Sequence, residues 1–112
     1  MKALVIGAGM MGKAITYDLA HSPGVGEIIL ADIDSDRVTQ AAHTLGKNVK
    51  PQKLDVSFYD DVIELMSQVD VAIGATSYNH NLLLTKAAIE GGIHFCDLGG
   101  NMDVVDRQLS LH

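Results

Sequence analysis

The stretch VIGAGMMGKA, Val5–Ala14, fits two phosphate-binding patterns at once. Gly7, Gly9 and Gly12 form G-x-G-x-x-G, the strand-to-helix turn that seats a dinucleotide pyrophosphate. Gly7 to Lys13 also spell G-x-x-x-x-G-K, the start of a nucleotide-triphosphate loop. The triphosphate reading needs Ser or Thr directly after the lysine, because that hydroxyl binds Mg²⁺. Ala14 stands there and has no oxygen, while Thr16 lies two residues further on. Nor does VAIGAT (71–76) end in an aspartate that would hold the metal through water. Lys13 is then a first-turn surface residue.

The dinucleotide reading finds its full context. The motif follows KALVI (Lys2–Ile6), an apolar run that reads as a strand buried on both faces, and it opens a helix. Gly7 permits the tight turn, Gly9 lets the backbone approach the pyrophosphate, and Gly12 lets helix and strand pack closely. Met10 and Met11 begin that helix with Gly12, and its amino terminus offers free N–H groups and a positive dipole end to the anion. An acid is also expected about twenty positions on, to accept from the adenosine ribose hydroxyls. Asp32, twenty residues after Gly12, closes the second strand EIILAD (Glu27–Asp32). Its carboxylate would repel a 2′-phosphate, so NAD is expected over NADP. Arg37, one turn into the next helix, is expected as a solvated surface residue.

Further along, short apolar runs alternate with helical patterns. Met11, Ala14, Ile15 and Leu19 are read as the inner face of the first helix, which HSPG (21–24) stops. Val38, Ala41, Ala42 and Leu45 stripe the second, with Asp34 or Ser35 to cap its start and Gly46 to suit its end. VKPQKLD (49–55) is a poor strand interrupted by Pro51, which suits an edge position. Phe58, Val62, Leu65, Met66 and Val69 make a third helical face. VDVAIGAT (69–76) reads as a buried central strand, a helix follows over about 79–90, and IHFCDLGG (93–100) is a fifth strand. This alternation predicts an α/β fold, a doubly wound parallel sheet of Rossmann type with strand order 3-2-1-4-5. The last stretch, DVVDRQLSLH (103–112), starts a helix without a stop signal, as if cut in mid-pattern.

The switch point of such a sheet nominates further contacts. Asp55 and Val56 close the third strand where adenine would lie. Asp55 either accepts from the adenine amino group or caps the next helix, and both readings stay open. Ala75 and Thr76 end the fourth strand, small enough to let the nicotinamide ribose near the backbone. Asp97 ends the fifth strand, either facing the nicotinamide or serving as a cap. His21, His43, His80, His94 and His112 lack metal-ligand spacing, so no metal site is expected. His80 alone falls near the expected site. Cys96 is read as inert packing within a buried strand, and Asp60 with Asp61 as first-turn partners of a helix dipole.

The bulk properties narrow the classes. With 112 residues the chain is one domain, and the net charge of −6 supplies no basic stripe for nucleic acid or anionic membrane. One cysteine, no signal-like opening and no run near the ~20 residues of a membrane helix point to a reducing cytoplasm. A mean hydropathy of +0.18 is high for a small domain, as for a face covered by another domain or subunit.

MKALVIGAGMMGKAITYDLA, ADID, HFCDLGG and DRQLSLH together resemble the amino-terminal domain of saccharopine dehydrogenase-like oxidoreductases, with the lysine 6-dehydrogenase branch nearest. The resemblance covers the whole chain. Its first motif is shared with many nucleotide-binding families, whereas the DLGG exit and the helix after it are more particular. The resemblance implies a Rossmann domain that binds NAD(P), followed by a domain that holds an amino-acid substrate and forms a homodimer. It implies oxidation of a C–N bond to an imine, with hydride passing to nicotinamide and water then giving a carbonyl. Gly7, Gly9, Gly12 and Asp32 carry over as cofactor residues, Asp97 matches the pattern without an assigned role, and proton-transfer residues fall beyond His112. Alone, this chain is expected to bind cofactor and catalyse little. A regulatory nucleotide-sensing domain of a potassium transporter or channel shares the loop, the acid and the length. The glycine-rich DLGG exit, where a substrate would approach, favours the dehydrogenase.

Overall fold

The apolar runs assemble into a five-stranded, all-parallel sheet. In the computed structural model, which describes residues 1–75 and 81–97 (backbone alone for 81–83 and 97), the strands are β1 (Lys2–Ile6), β2 (Glu27–Asp32), β3 (Val49–Lys53), β4 (Val71–Gly74) and β5 (His94–Asp97). Helices α1 (Met10–Ala20), α2 (Ser35–Leu45), α3 (Tyr59–Met66) and α4 (Asn81–Gly91) alternate with them. The spatial order is β3-β2-β1-β4-β5, the predicted 3-2-1-4-5 sheet. The predicted helix over 103–112 lies outside the described residues.

β1 and β2 are buried almost end to end because both sheet faces are covered. On one face Leu4, Ile6, Ile29 and Ala31 pack with Val62, Leu65 and Met66 of α3 and Leu84, Ala87 and Ala88 of α4. On the other, Ala3, Val5, Ile28 and Leu30 meet Val38, Ala41 and Ala42 of α2, with Ile15 and Leu19 of α1 against them. Fully burying each of the larger aliphatic side chains contributes about 1.5–3 kcal/mol. β3 lies at the edge, which accommodates Pro51, and only its Val49 is buried.

Three expectations are corrected. Phe58, read as part of the third helical face, is the exposed cap of α3 and lies outside the core. Met11 and Ala14 are exposed, and the row of α1 that faces the sheet is Gly12, Ile15, Thr16 and Leu19. The cause is Gly12, which sits so close to β1 that a Cβ would overlap the carbonyl of Gly7. That approach turns Met11 outward and carries Thr16 fully into the interior, where its hydroxyl donates to Gly12 O at 2.7 Å. Cys96 is exposed rather than packed. β5 forms the other sheet edge, and only its Phe95 side packs with the α3–α4 cluster.

Register is what builds the site. Ile6 pairs with Ala31 and with Gly74, so the chain leaves β1, β2 and β4 at one level. Asp32 pairs with Lys53, which places the exit of β3 beside them.

Candidate functional site

Gly7 adopts φ +111°, a region open to glycine and strained for other residues, as the chain leaves β1. Its N–H donates to Ala31 O at 2.7 Å, and the next N–H, of Ala8, donates to Asp32 Oδ2 at 2.7 Å. The loop is thus tied to the end of β2 by two consecutive bonds, one of them to a carboxylate. Gly9 then caps α1 with φ −75° and no side-chain bond, and the first helical bond runs from Lys13 N to Gly9 O. The N–H groups of Met10, Met11 and Gly12 therefore stand outside the helical ladder. A Cβ at Gly9 would meet no atom of the described residues within 4 Å. Nothing among the described residues requires glycine there.

Asp32 accepts a dense set of donors. Besides Ala8 N, Asp34 N donates to Oδ1 at 2.9 Å. Arg37 Nη2 lies 2.9 Å from Oδ1 and 2.8 Å from Oδ2. The carboxylate is 4 % exposed and the arginine side chain 51 %. Burial pushes the Asp32 carboxyl up, but the Ala8 and Asp34 N–H groups and the Arg37 guanidinium together outweigh it. The group is held below the usual aspartate range. Arg37 is therefore not the purely solvated residue expected, although half of it does meet water. It is the third residue of α2, after the Asp34 cap and Ser35 and Asp36. Helical side chains lean back toward the amino terminus, which from that position is toward the end of β2.

A cleft of about 430 Å³ joins these parts, lined by Ile6, Gly7, Gly9, Asp32, Ile33 and Arg37 and, across from them, Leu54, Asp55, Val56 and Ala75. Six of the residues nominated from sequence meet here: Gly7, Gly9, Asp32, Asp55, Val56 and Ala75. Met10, Met11 and Gly12 are not on its lining; Met10 and Met11 are exposed at the start of α1, and Gly12 is buried behind the loop. Thr76, His80 and the DLGG exit beyond Asp97 lie outside the described residues, as does the Asp97 side chain. Asp55 does not cap α3, whose cap is Phe58. Its Oδ1 instead accepts from Ser57 N at 2.9 Å and Ser57 Oγ at 2.6 Å, holding the turn before the helix. Among the described residues no group of metal-ligating side chains is assembled.

Ile33, Arg37, Leu54 and Ile6 were not nominated from sequence. Ile33 carries the clearest signal, a large aliphatic residue in the acidic turn Asp32-Ile33-Asp34, exposed where the strand ends. Leu54 follows the last residue of β3 and could have been found from the strand's true end.

A parallel sheet of this order, with a glycine loop at the exit of β1 and an acid at the exit of β2, defines a Rossmann-class nucleotide-binding domain. Comparison with known proteins makes this specific. The family described as Saccharopine dehydrogenase NADP binding domain matches residues 3–112, and the chain belongs to that family. Carboxyaminopropylagmatine dehydrogenase of Synechocystis sp. is 27 % identical over 99 residues, 86 % of this chain and 25 % of that protein. In fold, the chain resembles saccharopine dehydrogenase (L-Glu forming) of Saccharomyces cerevisiae, with a TM-score of 0.83 at 18 % identity. That match covers 94 % of this chain and 23 % of the yeast one. A mutated uronate dehydrogenase aligns with a TM-score of 0.65 at 22 % identity, over 85 % of this chain and 37 % of that one. The chain spans about a quarter of the length of the curated relative. The cofactor class is a nicotinamide dinucleotide, and the domain is of the NAD(P)-binding oxidoreductase kind. No helix among the described residues is long and apolar enough to cross a membrane.

Proposed function

We propose that this chain seats the dinucleotide of a longer amino-acid dehydrogenase, similar to lysine 6-dehydrogenase, that oxidises a C–N bond. The observation that carries the reading is Gly9, a glycine with ordinary φ and open space where its side chain would be, at the mouth of a cleft ending in Asp32. Such a glycine leaves room for a group the chain itself does not contain, and a pyrophosphate fits there. The uncommitted N–H groups of Met10, Met11 and Gly12 would meet its charge. Asp32 would accept from the adenosine ribose. Ile33, Leu54 and Val56 offer apolar wall to the adenine, and Ala75 leaves the nicotinamide side open.

When bound, the nicotinamide would accept a hydride from the carbon that bears the substrate nitrogen. The chain's own residues hold and orient that acceptor. Substrate contacts and proton transfer fall to a following domain, which we also take as the homodimer contact, in a cytoplasmic enzyme. Support comes from the matched family and from two dehydrogenases among the relatives, one of them named as L-Glu forming. NAD is the choice expected from Asp32 alone, whereas the family description names NADP.

Calorimetric titration of the chain with NADH, NADPH and ATP–Mg²⁺, alongside Asp32→Ala, tests the cofactor half. Binding of a nicotinamide dinucleotide that the variant weakens supports it. Binding of ATP–Mg²⁺ alone overturns it. For the chemical half, a longer chain carrying the following domain should reduce the dinucleotide in the presence of L-lysine or a related amine. A chain that binds dinucleotide but oxidises no amine would return the domain to the sensor class.

A further inference from the structure

A carboxylate offers about four lone-pair sites, and at Asp32 all four are engaged. Oδ1 accepts from Asp34 N and Arg37 Nη2, and Oδ2 from Ala8 N and Arg37 Nη2. Two of the donors are backbone, one in the glycine loop and one on the residue that caps α2, and neither can leave without undoing the loop or the cap. Arg37 is the replaceable partner, a rotatable side chain half in water on the wall of the same cleft. A ribose hydroxyl that is to be accepted by Asp32 must therefore displace Arg37.

We propose that Arg37 is the residue that decides between the two nicotinamide dinucleotides, and that the site accepts both. This rests on the dinucleotide reading above. With a 2′-hydroxyl, the ribose takes the place of Arg37 on Asp32 and the guanidinium swings to solvent. With a 2′-phosphate, the guanidinium pairs with the phosphate through its fork of donors and keeps the Asp32 charge from repelling it. The two ligands thus use the same arginine in opposite senses, as a competitor and as a partner.

Calorimetric titration of the 112-residue chain and of Arg37→Leu with NADH and NADPH tests this, with thermal unfolding to show that the variant is folded. The unsubstituted chain should bind both. Arg37→Leu should weaken NADPH about tenfold or more while leaving NADH unchanged or tighter, since loss of one charge-assisted pairing is of that size. Arg37→Lys, which keeps the charge without the fork, should fall between them. Should Arg37→Leu fail to fold, Arg37→Lys carries the test by the same shift in ratio. An unchanged ratio of the two affinities overturns the proposal, as does equal weakening of both, which would make Arg37 only a support for Asp32. An unsubstituted chain that binds NADH but not NADPH also overturns it, and the dinucleotide reading then stands. If neither dinucleotide binds, both fall.

Discussion

At Gly12 the start of α1 lies directly against the end of β1, whereas three residues earlier, at Gly9, the same loop faces open space. A methyl group at Gly12 would overlap backbone that cannot withdraw without unseating the strand. A methyl group at Gly9 would touch nothing among the described residues. One side of the loop is thus glycine for the fold, and the other side is glycine for a ligand. The contrast separates stability from binding within a single motif, and it can be tested by substitution.

The largest effect is expected at Gly12. Gly12→Ala should cost about 3 kcal/mol or more by overpacking, seen as a lower denaturant midpoint, with dinucleotide binding lost alongside. A variant of full stability would break the comparison at its firmer end. Asp32→Asn comes next, because the buried donors it serves lose their carboxylate. About 1–3 kcal/mol of stability should go at neutral pH. Since the folded carboxyl is held below the ordinary aspartate range, its contribution is whole above that range and is lost as pH falls through the folded-state value. Denaturant midpoints of wild type and Asp32→Asn should therefore converge in acid and separate as pH rises.

Gly9→Ala sharpens the comparison from the other side. Its backbone angles suit alanine, so stability should change by less than about 1 kcal/mol, while NADH affinity falls about tenfold or more. A loss of stability equal to that of Gly12→Ala would erase the distinction between the two glycines. The smallest effect is expected from Asp55→Ala. Losing the turn bonds to Ser57 should cost roughly 0.5–1.5 kcal/mol, and NADH affinity should move by no more than about threefold if the carboxylate serves the turn alone.

Much of this architecture is legible in the chain. KALVI and EIILAD are apolar runs too short for helices and bounded by turn residues, and both strands run over those residues. Pro51 marked the sheet edge because proline cannot donate in a central strand. Where the reading strayed, the cause was distance between elements rather than local preference. Ala14 counts as apolar in any periodic pattern, but the rotation of α1 is set by the contact between Gly12 and Gly7, which no helical count contains. Cys96 sits in an apolar run whose outer side is exposed because β5 is an edge. Arg37 was read from its own helix, while its partner lies on the preceding strand. The cleft was half legible. The glycines, the acids and some of their neighbours at strand ends were found, while the aliphatic Ile6, Ile33 and Leu54 at those same ends were passed over. Arg37 is brought in by the placement of α2.

The bond from Ala8 N to Asp32 Oδ2 has a consequence for how such a domain can diverge. An acid that only gripped a ribose could be exchanged freely as cofactor preference drifted. Here the same carboxylate anchors the loop, so its replacement loosens the pyrophosphate seat before any new preference is gained. Descendants of this scaffold are then expected to change cofactor at Ile33 and Arg37, with the aspartate kept in place between them.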